Sequence, residues 1–268
     1  MNQIDVDKVL EDKNPRLSKM LPGFLTSYLK KIIHQDELNE ILNQYGHLKG
    51  LEFVKASLSY MNISYTVKGV ENIPEKGRFL FASNHPLGGL DGVVFIDAVG
   101  KIFPDIKFPV NDMLLNVKSF EGLFLPVNKH GKQARESAHL IEEAYASNAQ
   151  ILYFPAGLCS RKQGGEIKDL EWKKNFLVKA IKHKRDIIPV HFSGRNSNFF
   201  YRLANIRKFT GIKANFEMLY LPDEMFRQKG KSLEIAFGPP ILHKTILESD
   251  LTPQEWSDNL RDLVHDMT

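Results

Sequence analysis

From residue 63 to the end of the chain, short apolar runs alternate with amphipathic stretches of helical length. Apolar runs bounded by Gly, Pro or polar turn residues are typical of buried strands. The predicted strands cover 63–67, 78–82, 106–110, 123–127, 151–154, 187–191 and 233–237. The predicted helices cover 93–99, 132–145, 170–183 and 253–265. This alternation predicts an α/β fold with a central, mostly parallel or mixed sheet flanked by helices.

The first 61 residues have a different pattern, which predicts an N-terminal helical segment. Residues 1–20 look irregular because Asn14-Pro15 interrupts them, and helices are expected to begin near Pro22, after Asp36 and near Leu48. The segment is either a layer packed on the main domain or a lid or membrane-contacting element, and both interpretations stay open. No linker divides 62–268, so these residues are expected to form one α/β domain.

Composition narrows the class of protein. The net charge of +4 is too small to indicate nucleic-acid binding. The single cysteine excludes an internal disulfide and fits a reducing cytoplasm. No apolar run is long enough to span a bilayer, and the first residues lack the pattern of a signal peptide. Small basic clusters at 129–132, 173–174 and 182–185 are either solvated helix faces or contacts for an anionic membrane or an acidic carrier protein.

Residues 83–92 form a Gly-rich turn between a predicted strand and a predicted helix, and the turn holds His85 and Asp91. Chemistry in α/β proteins is concentrated in loops at strand ends. A histidine can take a proton from a hydroxyl near neutral pH, and a carboxylate nearby can orient it. The residues alone leave open a second interpretation, in which His85 is structural and Asp91 only caps the helix.

Four segments resemble, in order, the motifs of the glycerolipid and lysophospholipid acyltransferase superfamily, which includes the lysophosphatidic acid acyltransferases. The first is Asn-His-Pro-Leu-Gly-Gly-Leu-Asp at 84–91, which is similar to a divergent bacterial branch and is one residue longer than the usual His-to-Asp spacing. The second is Gly-Leu-Phe-Leu-Pro-Val-Asn at 122–128, with Asn128 in place of an Arg. The third, at 154–161, has Ala156 in place of a Glu and Cys159 in place of an Arg, and the fourth is at 187–190.

The resemblance implies an O-acyltransferase that moves a fatty acyl group from a thioester to the hydroxyl of a lysolipid. His85 would be the general base and Asp91 would orient it, with backbone N–H groups of the turn or near Gly157 stabilising the oxyanion. The donor would be acyl carrier protein or coenzyme A thioester, with no bound cofactor and no metal. The expected substrate-binding residues are Asn84, Asn128, Lys129, Lys132, Pro155, Ala156, Gly157, Ser160 and Arg161.

The substitutions at positions 128, 156 and 159 leave the acceptor open between a lysophosphatidate and a monoacylated amino acid, since Lys129, Lys132 or Arg161 could bind either anion. An acceptor with one acyl chain partitions into membranes, so we expect a cytoplasmic protein with peripheral contact to the inner face of the cell membrane through its N-terminal helices. The alternative function is a catalytically lapsed member that binds lipid or an acyl carrier without turnover.

Other candidate sites are weaker. Cys159, a lone cysteine after an apolar strand, is expected to be buried and inert. His183 and His191 lack the partners of a metal site, so structural roles are favoured. Gly230-Lys231-Ser232 lacks the first glycine of a phosphate-binding loop, and no Gly-x-Ser-x-Gly elbow of a serine hydrolase is present.

Overall fold

The computed structural model describes residues 3–111, 117–127 and 132–267. The strands within them are β1 (Ser64–Lys68), β2 (Phe79–Ser83), β3 (Ile106–Val110), β4 (Phe124–Pro126), β5 (Gln150–Tyr153), β6 (Arg161–Gln163), β7 (Glu166–Lys168), β8 (Asp186–Phe192) and β9 (Ser232–Phe237). Seven of them form one sheet in the order β1-β9-β8-β2-β5-β3-β4. Strands β8, β2, β5, β3 and β4 are mutually parallel, whereas β9 runs antiparallel to β8 and parallel to β1. Every predicted strand is confirmed to within two residues at each end.

Helices cover both faces of the sheet. They are α1 (Val6–Lys13), α2 (Pro15–Met20), α3 (Gly23–Ile33), α4 (Gln35–Tyr45), α5 (Leu51–Tyr60), α6 (Leu90–Gly100), α7 (Lys132–Ala146), α8 (Asn175–Lys182), α9 (Asn198–Phe209), α10 (Leu221–Phe226), α11 (His243–Leu247) and α12 (Pro253–Asp266). The architecture is therefore the expected α/β sandwich around a mostly parallel sheet. Among the described helices, none combines the length and apolar character that a membrane span requires.

Strand β2 lies in the middle of the sheet and is fully buried. Its side chains alternate between two cores, as the pleat requires. Phe79 and Phe81 belong to the core shared with α5 and α6, whereas Leu80 and Ala82 belong to the core shared with α8 and α12. A strand buried on both faces explains the uninterrupted apolar run at this point of the sequence.

The prediction that residues 1–20 are irregular is wrong for the part that the structure describes, because α1 and α2 lie there. The Asp5 side chain caps α1 by accepting from the Asp7 and Lys8 N–H groups. Pro15 is the first residue of α2, the position at which a missing N–H costs least, so it separates two helices and does not abolish them.

Two packed elements connect the N-terminal helices to the turn at 83–92. His34, between α3 and α4, places Nε2 3.0 Å from the Asp223 carboxylate of α10 and stacks on Phe226 at 4.4 Å. On its other side α10 packs against the turn, where a Cβ at Gly88 would lie 2.6 Å from a methyl carbon of Leu221. The helical segment is thus packed on the α/β domain in the manner of a layer, while the domain boundary at 61/62 stays a prediction.

Candidate active site

The four motif segments meet at one edge of the sheet. The first follows β2, the second includes β4, the third follows β5, and the fourth lies on β8. These strands are parallel, so their carboxyl ends are at the same edge, where open α/β sheets place their ligands. The order of the strands therefore brings together segments that are far apart in the chain.

His85 and Asp91 form a hydrogen-bonded pair at this edge. The distance from His85 Nδ1 to Asp91 Oδ2 is 3.0 Å, and the Asp91 side chain is fully buried. Gly88 has φ +81°, a left-handed conformation that reverses the chain and absorbs the extra residue of the motif. A Cβ there would be strained and would also collide with Leu221, so the position is restricted to glycine.

The prediction that Asp91 caps α6 is wrong. The N-cap residue is Gly89, and Asp91 lies within the first turn with its carboxylate directed back into the preceding loop. Its Oδ2 accepts from Leu87 N–H at 2.9 Å and Gly88 N–H at 3.3 Å in addition to the histidine. Oδ1 accepts from Gly92 N–H at 2.9 Å. These bonds offset the cost of burying the charge and hold the carboxylate in one orientation.

The geometry leaves the second ring nitrogen of His85 available. With Nδ1–H donating to Asp91, Nε2 carries the lone pair, and within the described parts of the chain it has no protein partner. The imidazole stacks on Phe154 at 3.9 Å between ring centroids, and its side chain remains 14% exposed. A fixed tautomer with one accessible basic nitrogen is the arrangement that a general base requires.

A buried carboxylate that the sequence analysis missed also holds the His85 main chain. Asp169 is 3% exposed and accepts from His85 N–H at 3.2 Å and Ser160 Oγ–H at 2.5 Å through Oδ1. Its Oδ2 accepts from Trp172 Nε1–H at 2.8 Å. In the reverse direction Ser160 N–H donates to the His85 carbonyl at 2.8 Å. Asp169 thereby ties the first motif to the third.

Two predicted substrate-binding residues have structural partners. The Asn84 side chain donates to the Phe192 carbonyl at 3.0 Å and accepts from the Phe192 N–H at 2.7 Å, so it joins the ends of β2 and β8. Ser160 is 1% exposed, and its hydroxyl donates to Asp169. Both residues shape the site through the main chain.

Arg161 also differs from the expectation of an anion-binding side chain. It is 6% exposed, and its Nη2 lies 3.0 Å from Glu217 Oε1. Its Nη1 donates to the Cys159 carbonyl at 2.6 Å, and the guanidinium lies over the Phe200 ring. The charge that the sequence suggested for a ligand is therefore neutralised inside the protein. Sequence patterns could not show this, because Glu217 lies far from the motif in the chain.

The remaining predicted residues of the third motif lie in the loop between β5 and β6. Pro155 and Ala156 are buried, and Ala156 packs in the core with the α8 side chains. Gly157 is exposed at φ +65°, but its N–H donates to the Phe154 carbonyl at 3.0 Å and so is not a free oxyanion donor. Cys159 is buried as expected, and burial raises the pKa of its thiol to about 11. The thiolate needed for a nucleophile is thus disfavoured.

Three predicted residues cannot be placed. Asn128 and Lys129 lie outside the described residues, and so does the side chain of Lys132, which begins α7. Their assignment to substrate binding stays a prediction.

A row of aromatic rings leads away from His85. Consecutive ring centroids lie 3.9 Å apart for His85 and Phe154, and 5.3 Å apart for Phe154 and Phe108. The next distances are 6.2 Å between Phe108 and Phe124 and 4.5 Å between Phe124 and Phe120. Phe120 and Phe124 line a cavity of about 330 Å³ that is formed by residues between Val117 and Phe124, at the start of the second motif. The row is a continuous set of packed apolar side chains between the imidazole and that cavity.

A second cavity, of about 270 Å³, lies behind the turn. Its lining residues come from the first and third motifs, β7, the end of β8 with the loop after it, and α12, namely Asn84, Pro86, Ser160, Ile167, His191, Phe192, Ser193, Gly194 and His265. Burial lowers the pKa of both His191 and His265, which favours neutral rings. The loop after β8, beginning at Ser193, thus contributes to this edge of the sheet.

Comparison with known proteins agrees with this geometry. Residues 8–261 match an acyltransferase family. The chain belongs to that family. It is 48% identical to a lyso-glycine lipid O-acyltransferase of Bacteroides thetaiotaomicron, covering 98% of this chain and 96% of the relative. It is 46% identical to a protein of the same name from Phocaeicola vulgatus, covering 98% of this chain and 94% of the relative.

The fold also resembles a solved structure from the superfamily named in the sequence analysis. The crystal structure of the 1-acyl-sn-glycerophosphate acyltransferase from Thermotoga maritima superposes with a TM-score of 0.51 at 19% identity. The match covers 81% of this chain and 77% of that chain. This likeness shows the fold, and the α/β fold is the one that the motifs implied. That the protein is an acyltransferase follows from the family match and the two relatives.

Proposed function

We propose that this acyltransferase transfers a fatty acyl group from a thioester to the hydroxyl of a lyso-glycine lipid. The observation that carries the proposal is the His85–Asp91 pair, with Nδ1 bonded to the buried carboxylate and Nε2 available. The names of the two relatives favour a monoacylated amino acid over a lysophosphatidate as acceptor. Arg161, which is paired with Glu217, is not available to the anion of either acceptor, so Lys129 and Lys132 remain the proposed cations for the acceptor's charged group.

In this mechanism Nε2 of His85 removes the proton of the acceptor hydroxyl while its oxygen attacks the thioester carbonyl carbon. The imidazolium that forms is stabilised by the Asp91 carboxylate 3.0 Å from Nδ1. Collapse of the tetrahedral intermediate forms the ester and expels the thiolate, which takes the proton from Nε2. The N–H groups of Leu87, Gly88 and Gly92 donate to Asp91, so the oxyanion is stabilised by the N–H groups of Leu90 and Asp91, which begin α6 and have no intrahelical acceptor.

The donor is acyl carrier protein or coenzyme A thioester, and its acyl chain lies along the aromatic row from Phe154 to Phe120. That row is apolar, begins at the imidazole and ends in a cavity. A lysolipid acceptor resides in a membrane, so the enzyme acts from the cytoplasmic side in peripheral contact with the bilayer through its N-terminal helices. The exposed side chains of Met20 and Phe24 in that segment support the contact.

The test is an acyl-transfer assay with both donors against lyso-glycine lipid and lysophosphatidate, comparing wild type with His85→Ala. We expect loss of at least about 10³-fold in kcat for His85→Ala, because the general base is removed. His243→Ala is the matched control, since His243 also pairs through Nδ1 with an aspartate, Asp186, but at the opposite end of β8. The control is expected to retain activity.

Two results would reject the proposal. Acyl transfer by His85→Ala at the wild-type rate would show that His85 is not the general base. A preference for lysophosphatidate would show that lyso-glycine lipid is not the acceptor. Stoichiometric lipid binding without thioester release over the whole acceptor panel would favour the lapsed alternative, which the intact His85–Asp91 pair argues against.

A further inference from the structure

Two segments that are distant in the chain share an unusual composition. Residues 15–34 contain Arg16, Lys19, Lys30 and Lys31 and no Asp or Glu. Residues 198–215 contain Arg202, Arg207, Lys208 and Lys213 and likewise no Asp or Glu. The whole chain has nearly balanced charge, with 36 Lys and Arg against 32 Asp and Glu, so both segments depart from its average.

The same segments expose large apolar side chains. In the first, Met20 is 79% and Phe24 is 71% exposed. In the second, Ile206 is 59% and Phe209 is 93% exposed, at the carboxyl end of α9. A side chain that is 93% exposed has almost no protein around it, so the Phe209 ring projects into solvent. Neither fold stability nor the aromatic row at His85 accounts for these residues.

The structure connects the two segments through one short element. Residues 216–220 form a short 3-10 helix that contacts both α3 and α9. The Tyr220 hydroxyl lies 2.8 Å from the Tyr28 hydroxyl of α3, and its ring lies 5.0 Å from the Phe199 ring of α9. This element connects α3, which α2 directly precedes, to the segment from α9 to residue 215, and we call the exposed side chains of these connected elements the apolar–basic face.

Several cations of the face are free to meet an external anion. Lys31, Arg202, Lys208 and Lys213 are exposed, and within the described parts of the chain no carboxylate pairs with them. Lys30 and Arg207, by contrast, pair with Asp7 and Glu217. Exposed cations beside projecting apolar side chains match an anionic bilayer, whose surface attracts the cations while its acyl boundary takes up the apolar groups.

The face is also adjacent to the catalytic turn. Glu217 bridges Arg207 of α9, at 2.8 Å, and Arg161 of the third motif, at 3.0 Å. In the next element Leu221 packs against Gly88. Only the segment 216–226 therefore separates the face from the loop that carries His85 and Asp91.

We propose that the apolar–basic face seats the enzyme on an anionic lipid bilayer, with residues 198–215 acting together with the N-terminal helices. The proposal rests on the proposed function in that a bilayer holds the lysolipid acceptor. A bilayer fits better than an acidic carrier protein, because a ring as free as Phe209 needs a deformable partner, whereas a folded carrier would have to supply a matching pocket.

The test is sedimentation with vesicles of phosphatidylglycerol and phosphatidylethanolamine, and with neutral phosphatidylcholine vesicles. The apolar variant combines Ile206→Ser, Phe209→Ser and Ile212→Ser, and we expect it to bind the anionic vesicles about 100-fold less strongly. The charge variant combines Arg202→Ser, Lys208→Ser and Lys213→Ser. It should lose about fivefold in partition coefficient per residue, only on anionic vesicles.

Leu247→Ser is the matched control, because Leu247 is 65% exposed on α11, outside the face. It should bind vesicles as wild type does. All changed side chains are solvent-exposed, so circular dichroism should show the wild-type fold. With acceptor supplied in detergent micelles, both face variants should turn over within about twofold of wild type, since no residue of the site is altered.

The outcomes separate the two proposals. If the apolar variant binds vesicles as wild type does, the proposal that the apolar–basic face binds the bilayer is overturned. A raised KM for acyl carrier protein thioester, but not for coenzyme A thioester, with unchanged vesicle binding would also overturn it, because the face would then belong to the carrier. If the wild-type protein acylates no acceptor but the face variants lose vesicle binding, the membrane role of the face is supported and the proposed function is rejected.

Discussion

Replacing Asp91 by Asn would separate the charge of the proposed catalytic pair from its geometry. The carboxamide oxygen can take the place of Oδ2 and accept from His85 Nδ1–H, Leu87 N–H and Gly88 N–H. The amide nitrogen would then face the Gly92 N–H, which now donates to Oδ1 at 2.9 Å. One donor–donor contact should lower the free energy of unfolding by about 1–3 kcal/mol, which leaves the protein folded.

The effect on turnover should be larger. At the observed separation of 3.0 Å, a full charge pair at an effective dielectric constant of about 20 is worth about 5 kcal/mol. Because the proton is only partly transferred in the transition state, we expect Asp91→Asn to reduce the stabilisation of the transition state by about 3–5 kcal/mol. At 1.36 kcal/mol per factor of ten, kcat should fall by about 10²–10⁴-fold with little change in KM.

The assay is steady-state acyl transfer at saturating donor, together with urea unfolding of each variant. Asp97→Asn is the matched control, because Asp97 lies on the same helix, is nearly buried and accepts from Tyr65 and Lys101. It should lose stability while keeping kcat. A kcat within tenfold of wild type for Asp91→Asn, or an equal loss for Asp97→Asn, would refute the role of the Asp91 charge.

Two further predictions concern other carboxylates. Asp169→Ala should lower kcat by about 10–100-fold and the free energy of unfolding by about 2–5 kcal/mol, because the buried N–H donors of His85 and Trp172 lose their acceptor. In the same assays Asp169→Asn should recover part of the activity and part of the stability. A loss of stability with unchanged kcat would contradict the positioning role. Hydrogen bonds from Lys179 and Lys182 lower the pKa of Glu142 from 4.5 to about 2. A depressed pKa stabilises the fold above the unfolded-state pKa, so the stability difference between wild type and Glu142→Gln should shrink as pH falls from about 5 to about 2 in urea titrations. A difference that is constant over that range would show that the ion pairs contribute nothing.

Much of the fold could be predicted because the spacing of apolar residues and the Gly and Pro residues that end each element are local properties of the sequence. The buried run of β2 and the amphipathic α7 were both recognisable without knowledge of their neighbours. The short hairpin of β6 and β7 and the helices between residues 198 and 226 were not predicted, since each depends on contacts with distant segments.

The site shows the same division. His85 and Asp91 lie on one turn, so their pairing was predictable from the motif and its glycines. Asp169 lies in a loop after β7 without any recognisable pattern, and only the fold brings its carboxylate to the His85 N–H. For Arg161 the sequence shows a charge but not its burial or its partner, which is why its predicted substrate contact became an internal ion pair.

The side-chain bridge between Asn84 and Phe192 determines how firmly His85 is held. The amide of Asn84 imitates a peptide group and continues the pairing of β2 with β8 by one rung beyond Ser83. His85 consequently leaves the sheet directly from its most protected strand, whose amides should be the slowest in the protein to exchange with deuterium. We therefore expect local fluctuations to displace His85 little, and adaptation to donors or acceptors of different size to fall to outer elements such as α10 and the N-terminal helices, which are held mainly by side-chain contacts.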